Sequence, residues 1–88
     1  MRVIRKAVTS NVPVVFKFES AGSQFLVKNF TPDRISVNIL GCDVIVPANC
    51  AQSIATCLEP SINDLTDTLT VTAVASDETG VEIQCLNY

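Results

Sequence analysis

The chain of 88 residues lacks several residue types on which common functions depend. It contains no histidine, so proton transfer near neutral pH would need a carboxylate, thiol or lysine with a shifted pKa. It contains no tryptophan, and its single tyrosine, Tyr88, lies at the very end, which leaves few aromatic rings for stacking on a sugar. We therefore expect a non-enzymatic protein with no catalytic residues. A carbohydrate- or peptide-binding module remains the alternative to a structural role, although the scarcity of aromatic rings counts against sugar binding.

Charged side chains are also scarce in this sequence. They make up 17% of the chain, with a net charge of −3, against roughly 25% in an average soluble domain. The one basic cluster, Arg2, Arg5 and Lys6, is better explained as an exposed strand edge than as a phosphate-binding surface. No apolar run approaches the roughly 20 residues that span a bilayer, and no signal-peptide core follows the first residues. We expect no nucleic-acid or membrane partner, and synthesis in the cytoplasm.

The four cysteines, Cys42, Cys50, Cys57 and Cys85, allow three disulfide pairings. Their spacing contains no C-x2-C pair of the kind that presents two sulfurs to one zinc ion. The acidic residues lack the alternating ligand series and central glycine of a calcium loop. We expect no metal and no cofactor, and reduced thiols that serve as small apolar side chains, with at least one disulfide as the alternative.

Apolar residues recur at every second position in much of the chain. The pattern is clearest in Arg34 to Ile39, where Ile35, Val37 and Ile39 alternate with polar residues. Because successive side chains of a strand point to opposite faces, a period of two predicts a strand with one buried face. The same period recurs near the end of the chain, at Leu69, Val71 and Ala73 and at Val81, Ile83 and Cys85.

Short turns separate about eight segments of this kind. We predict strands over Val3–Val8, Val12–Phe18, Gln24–Phe30, Arg34–Ile39, Val44–Val46, Cys50–Cys57, Thr68–Ala75 and Val81–Asn87. The connections are too short for the crossover helices of a parallel sheet. The predicted fold class is all-β, with residues 1–88 as one antiparallel β-sandwich or small barrel of about eight short strands. Jelly-roll and immunoglobulin-like topologies are both open.

Three connections carry local signals. The turn residues Thr31 to Asp33 predict a hairpin between the third and fourth strands, and Ser76 to Gly80 predict a hairpin between the last two. Between the sixth and seventh strands, Ser61 to Asp64 has the hydroxyl-to-acid spacing of a helix start after Pro60, which predicts a single helical turn.

Some apolar residues occupy positions that the alternation assigns to the outer face of a strand: Val15, Leu26, Val74 and Leu86. A second buried face would explain them, and in a short chain it belongs either to a neighbouring sheet or to another subunit. Because charge is scarce, burial against another subunit is favoured. We predict a homo-oligomer with these residues as its interface candidates.

Three phrases of the sequence, Phe25 to Thr31, Ile35 to Ile39 and Gly80 to Cys85, resemble small β-rich structural proteins encoded among phage and prophage virion genes. The resemblance covers most of the chain from Gln24 onward, and the four cysteines and the loop Leu58 to Asp67 depart from it. It implies a virion component, such as a head-decoration, head-fibre-base or head-tail accessory protein. Such a protein works by contacts with its own copies and with other virion proteins, and it resides in the virion.

Overall fold

The computed structural model describes residues 3–55 and 65–86 of the chain. These residues form eight strands and no helix: β1 (Val3–Val8), β2 (Val14–Gly22), β3 (Gln24–Asn29), β4 (Ile35–Ile39), β5 (Cys42–Val46), β6 (Ala51–Ala55), β7 (Thr66–Ala73) and β8 (Asp77–Cys85). The prediction of an all-β antiparallel sandwich of about eight strands is confirmed. The helical turn predicted over Ser61 to Asp64 lies outside the described residues.

The strands form two four-stranded antiparallel sheets that pack face to face. Sheet A has the order β1-β8-β3-β6, and sheet B has the order β2-β7-β4-β5. The pairing is nested, since the first strand pairs with the last, the second with the seventh, the third with the sixth and the fourth with the fifth. This is the jelly-roll arrangement of two Greek keys. An immunoglobulin-like sandwich places its first and second strands in one sheet, whereas here they lie in different sheets.

Both hairpins predicted from turn residues are wrong. β3 belongs to sheet A and β4 to sheet B, so Thr31 to Asp33 carries the chain across the core, and Val74 to Ser76 does the same between β7 and β8. The hairpin among the described strands is β4–β5, where Ile39 pairs with Cys42. Its two turn residues, Leu40 and Gly41, have φ values of 49° and 82°, as a type I′ turn requires.

The inner faces of the two sheets bury one hydrophobic core. Its buried side chains come from both sheets: Val8, Phe16, Phe18, Phe25, Val27, Ile35, Val37, Ile39, Val46, Ile54, Leu69, Val71, Ala73, Val81, Ile83 and Cys85. The inward series predicted for β4, β7 and β8 are therefore confirmed, and the free thiol of Cys85 packs as an apolar group. The rings of Phe18 and Phe25 meet across the sheets with centroids 5.6 Å apart, a distance at which tilted aromatic pairs attract.

Candidate functional site

The outer face of sheet A carries a cluster of apolar side chains at one end. Leu26 on β3 lies opposite Gln84 on β8, and Gln84 in turn lies opposite Val3 on β1. Leu86 follows β8, and its N–H donates to the Gln24 carbonyl oxygen at 2.8 Å, so Leu86 stands diagonally from Leu26. Side chains in this relation are within reach of each other. We call Val3, Leu26 and Leu86 the sheet A patch, of which Leu86 is 46% exposed.

A charged row lies beside the sheet A patch. Arg5, Glu82 and Lys28 are cross-strand neighbours on three adjacent strands. Lys28 Nζ lies 3.3 Å from Glu82 Oε2, and Gln84 Nε2 donates to the same oxygen at 3.1 Å. The hydrogen bond from Gln84 lowers the pKa of Glu82 most; partial burial opposes this shift, and the hydrogen bond and charge of Lys28 and the charge of Arg5 reinforce it.

The Glu82 carboxylate is expected to contribute stability that depends on pH. A carboxyl whose pKa is lower in the folded than in the unfolded chain stabilises the fold above its unfolded pKa, and the gain is lost as the pH falls through the folded pKa. Glu82→Gln should therefore lower the free energy of unfolding by about 0.5 kcal/mol at pH 7. The difference from the parent should shrink once the pH falls below the ordinary value of 4.5 and vanish below the lowered pKa of Glu82 in the folded chain.

Urea unfolding of both proteins at pH 7 and at pH 3 measures this difference. Glu78→Gln, which removes an exposed carboxylate near the start of β8, is the control for the change of net charge alone. An equal loss for Glu82→Gln at both pH values would show that the row does not act through the carboxylate charge.

An aromatic ring stands at the far end of the same face. Phe30 follows β3 and is 37% exposed, and the guanidinium carbon of Arg5 lies 4.5 Å from the centre of its ring. A cation at this distance is attracted to the face of the ring and covers it. Sugar recognition usually stacks a ring on an exposed aromatic face. The other three phenylalanines are buried, so the aromatic rings of the described residues are poorly suited to a carbohydrate.

The outer face of sheet B has a different chemistry. Its two central strands present half-buried hydroxyl and amide side chains and, within the described residues, no charge: Ser36, Asn38, Thr68, Thr70 and Thr72. Val15 on the edge strand β2 lies opposite Thr70 and is 48% exposed, and Ile45 on the other edge strand, β5, lies opposite Ser36. The two central strands therefore form an uncharged strip, and each edge strand adds one apolar and one charged side chain to the face: Val15 and Lys17 on β2, and Ile45 and Asp43 on β5.

Val74, another interface candidate, is 40% exposed and lies just beyond the end of β7. It follows β7, where the Ser10 hydroxyl donates to its carbonyl oxygen at 2.6 Å, so it stands at one end of the sandwich beside the β1–β2 connection. The structure thus brings Leu26 and Leu86 together, places Val15 on the opposite face and leaves Val74 apart. A single contact with one neighbour cannot cover all four predicted residues.

An open cleft of about 320 Å³ lies between the end of β1 and the start of β8, and it offers little chemistry. Among its lining residues, Asp77 uses Oδ1 to accept the N–H groups of Thr79 at 2.7 Å and Gly80 at 3.2 Å, so its carboxylate caps a turn. Within residues 3–55 and 65–86, no three side chains of the metal-ligating types come together. Cys42 and Cys50 are exposed free thiols, and Cys57 lies outside the described residues.

The polar residue that the sequence analysis missed is Asn29 at the end of β3. Its side chain is 1% exposed, and it contacts backbone groups of the β3–β4 connection and of the end of β5. One signal could have found it, because the inward series Phe25 and Val27 continues to position 29, where an apolar residue is expected. A polar residue at an inward position must have hydrogen-bond partners.

No protein-family model, curated protein or solved structure matches this chain. Among the residues that the structure describes, no helix is long and apolar enough to cross a membrane.

Proposed function

We propose that this chain is a non-enzymatic structural protein, a phage- or prophage-encoded virion component that acts through contacts between its own copies. The observation that carries the proposal is the presence of exposed apolar side chains on opposite faces of one small sandwich: Val3 and Leu86 of the sheet A patch on one side, and Val15 and Ile45 on the other. A subunit with apolar contacts on two opposite faces can bind a neighbour on each side and form larger assemblies. A subunit with a single self-complementary patch forms only a dimer.

The chemistry of the two faces supports contact with protein rather than with a small molecule. The strip on sheet B is uncharged, and on sheet A the charges of Arg5, Glu82 and Lys28 already neutralise one another in part. Jelly rolls occur both in viral capsids and in lectins, so the fold favours neither class. The Arg5 contact on Phe30 counts against the carbohydrate-binding alternative. Contacts with other virion proteins belong to the same proposal, as does residence in the virion after synthesis in the cytoplasm.

The oligomeric state of face variants is expected to separate the two contacts. At micromolar concentration the parent should form species larger than a dimer. Leu86→Glu should remove the sheet A contact and Val15→Glu the sheet B contact, because each buries a carboxylate in an apolar interface. Each single variant should form assemblies of lower mass than the parent, and the double variant should form the smallest. Sedimentation velocity measures these masses.

The control is Leu40→Glu, which places the same charge on a side chain with 49% exposure in the β4–β5 turn. Its mass distribution should match that of the parent. A parent that is monomeric at these concentrations would overturn the assembly proposal.

Mass spectrometry of purified particles tests the virion assignment, which requires many copies of the chain per particle. A rise in melting temperature with a glycan or peptide in excess would instead favour the binding-module alternative.

A further inference from the structure

Among residues 3–55 and 65–86, β6 is an edge strand of sheet A whose backbone has unpaired groups on one side. Asn29 N–H donates to the Cys50 carbonyl oxygen at 2.8 Å, and these two residues lie opposite each other in the ladder between β3 and β6. Because backbone groups of successive residues point to opposite sides of a strand, Gln52 and Ile54 also face β3. The N–H and C=O groups of Ala51, Ser53 and Ala55 therefore point away from β3, and no described residue pairs with them.

The other three sheet edges carry features that discourage pairing. β1 has Arg5, Lys6 and a register shift after Lys6, and β2 has Lys17 and a register shift after it. Lys6 Nζ also donates to the Val15 carbonyl oxygen at 2.7 Å, so this side chain lies across the β1–β2 side of the sandwich. β5 carries Asp43 and ends before Pro47. Charges, proline and irregular register are the usual means by which an edge strand avoids added strands.

β6 has none of these features. Its five residues pair with β3 in unbroken register and include no charge and no proline. The three residues whose backbone groups point away from β3 are Ala51, Ser53 and Ala55. Because an alanine lies on each side of Ser53, this edge is symmetric in sequence about Ser53. Their side chains are small enough for another strand to approach to the normal spacing of about 4.8 Å.

From this edge we infer that β6 pairs with β6 of a second copy of the chain, antiparallel, about a twofold axis at Ser53. Ser53 then faces Ser53 of the partner subunit, Ala51 faces Ala55 of the partner subunit, and the two copies of sheet A become one continuous sheet. The outward groups of these residues form about six main-chain hydrogen bonds across the axis. The inference rests on the proposed self-association of the chain, but it uses an edge and not the two faces.

A second copy fits this edge better than an unrelated peptide does. Added strands gain affinity from main-chain hydrogen bonds and specificity from pockets that receive alternate side chains. Alanine and serine form no such pocket. In the paired sheet, Leu26, which lies opposite Ser53, flanks the junction on both sides of the axis, so the joined outer face continues the sheet A patch.

The experiment uses the double variant Leu86→Glu and Val15→Glu as its background, so that the two faces do not contribute to the mass. In this background the chain should be a dimer by sedimentation equilibrium at micromolar concentration. Ser53→Pro should reduce the mass to that of one chain, because it removes an outward N–H that β3 does not use and an edge strand tolerates proline there. Ser53→Lys should do the same, because two ammonium groups then oppose each other across the axis.

Thr79→Lys is the charge control, since it adds the same charge to an exposed residue on β8 and should leave the dimer intact. Far-ultraviolet circular dichroism and urea unfolding establish that both Ser53 variants are folded. A folded Ser53→Pro or Ser53→Lys chain that remains dimeric overturns the inference. A monomeric double variant, if the parent itself assembles, also overturns the inference. That result would leave the proposed face contacts intact. If the double variant is a dimer and the parent is also no larger than a dimer, the result would support pairing at the β6 edge and overturn the face contacts.

Discussion

Asn29→Ala is expected to lower the free energy of unfolding by about 3–5 kcal/mol, a large part of the roughly 4–13 kcal/mol expected for a domain of this length. The buried amide of Asn29 lies within hydrogen-bond distance of three carbonyl oxygens, Asp33 at 2.9 Å, Val46 at 3.2 Å and Pro47 at 3.0 Å. Its Oδ1 accepts the N–H of Thr31 at 2.9 Å and lies 2.7 Å from the Thr31 hydroxyl. Alanine would remove all of these contacts, and the Asp33 carbonyl oxygen would keep only the Thr31 hydroxyl of the two side-chain groups near it.

The position of Asn29 explains why the effect should be large. Asn29 ends β3 in sheet A, and Val46 ends β5 in sheet B, so the side chain joins the two sheets where the chain crosses between them. Thr31 is fully buried in the crossing segment, and its hydroxyl lies 2.6 Å from the Asp33 carbonyl oxygen. Because buried backbone groups that lose a partner pay their full desolvation cost, the loss is greater than that of one surface hydrogen bond.

Urea unfolding at pH 7 measures the loss, and Asn29→Asp serves as the matched variant. Aspartate keeps the accepting oxygen but replaces the amide donor, so its ionised form faces carbonyl oxygens and its pKa should rise. A raised carboxyl pKa destabilises the folded chain most above that pKa, so the deficit of Asn29→Asp should shrink as the pH is lowered from 7 to 3. The deficit of Asn29→Ala should not follow this trend. A loss below about 1 kcal/mol for Asn29→Ala would contradict the role assigned to the cluster.

Gly80→Ala is the second substitution with a large expected effect, about 3–5 kcal/mol of unfolding free energy. Gly80 has a φ of 70° and lies on β8 against the register shift of β1. A Cβ at this position would overlap the Lys6 carbonyl oxygen and would lie 2.7 Å from its carbonyl carbon and 2.8 Å from Ala7 Cα. These are backbone atoms, which cannot rotate away as a side chain can. The strand β1 would have to shift.

Gly41→Ala separates the collision from the backbone conformation. Gly41 also has a positive φ, 82°, but a Cβ there would meet nothing within 4 Å. Its replacement should therefore cost only the left-handed conformation, about 1–2 kcal/mol. The difference between the two variants, read from linear extrapolation of urea unfolding, measures the close approach of β1 and β8. Equal losses would show that β1 adjusts freely at Gly80.

Most of the strands were predictable from the sequence because they carry their own alternation. β1 has the predicted bounds, and the inward residues of β4, β7 and β8 are those that the period of two assigns. The failures lie in the connections and in several strand ends; Asp77 to Gly80, predicted as part of a turn, belong to β8. Thr31 to Asp33 has the composition of a tight turn, yet the chain there crosses to the other sheet, where Asn29 supplies the hydrogen bonds that a hairpin would have supplied.

The alternation of apolar residues was enough to predict an antiparallel β protein with these inward residues, because the direction of a side chain on a strand depends only on its neighbours in the chain. The folded arrangement of the strands was needed to establish the nested jelly-roll pairing, the grouping of Leu26 with Leu86 on one face and Val15 on the other, and the open edge at β6. These features arise from contacts between residues far apart in the chain. Turn residues specify how the chain bends locally, but not which distant strand the next segment meets.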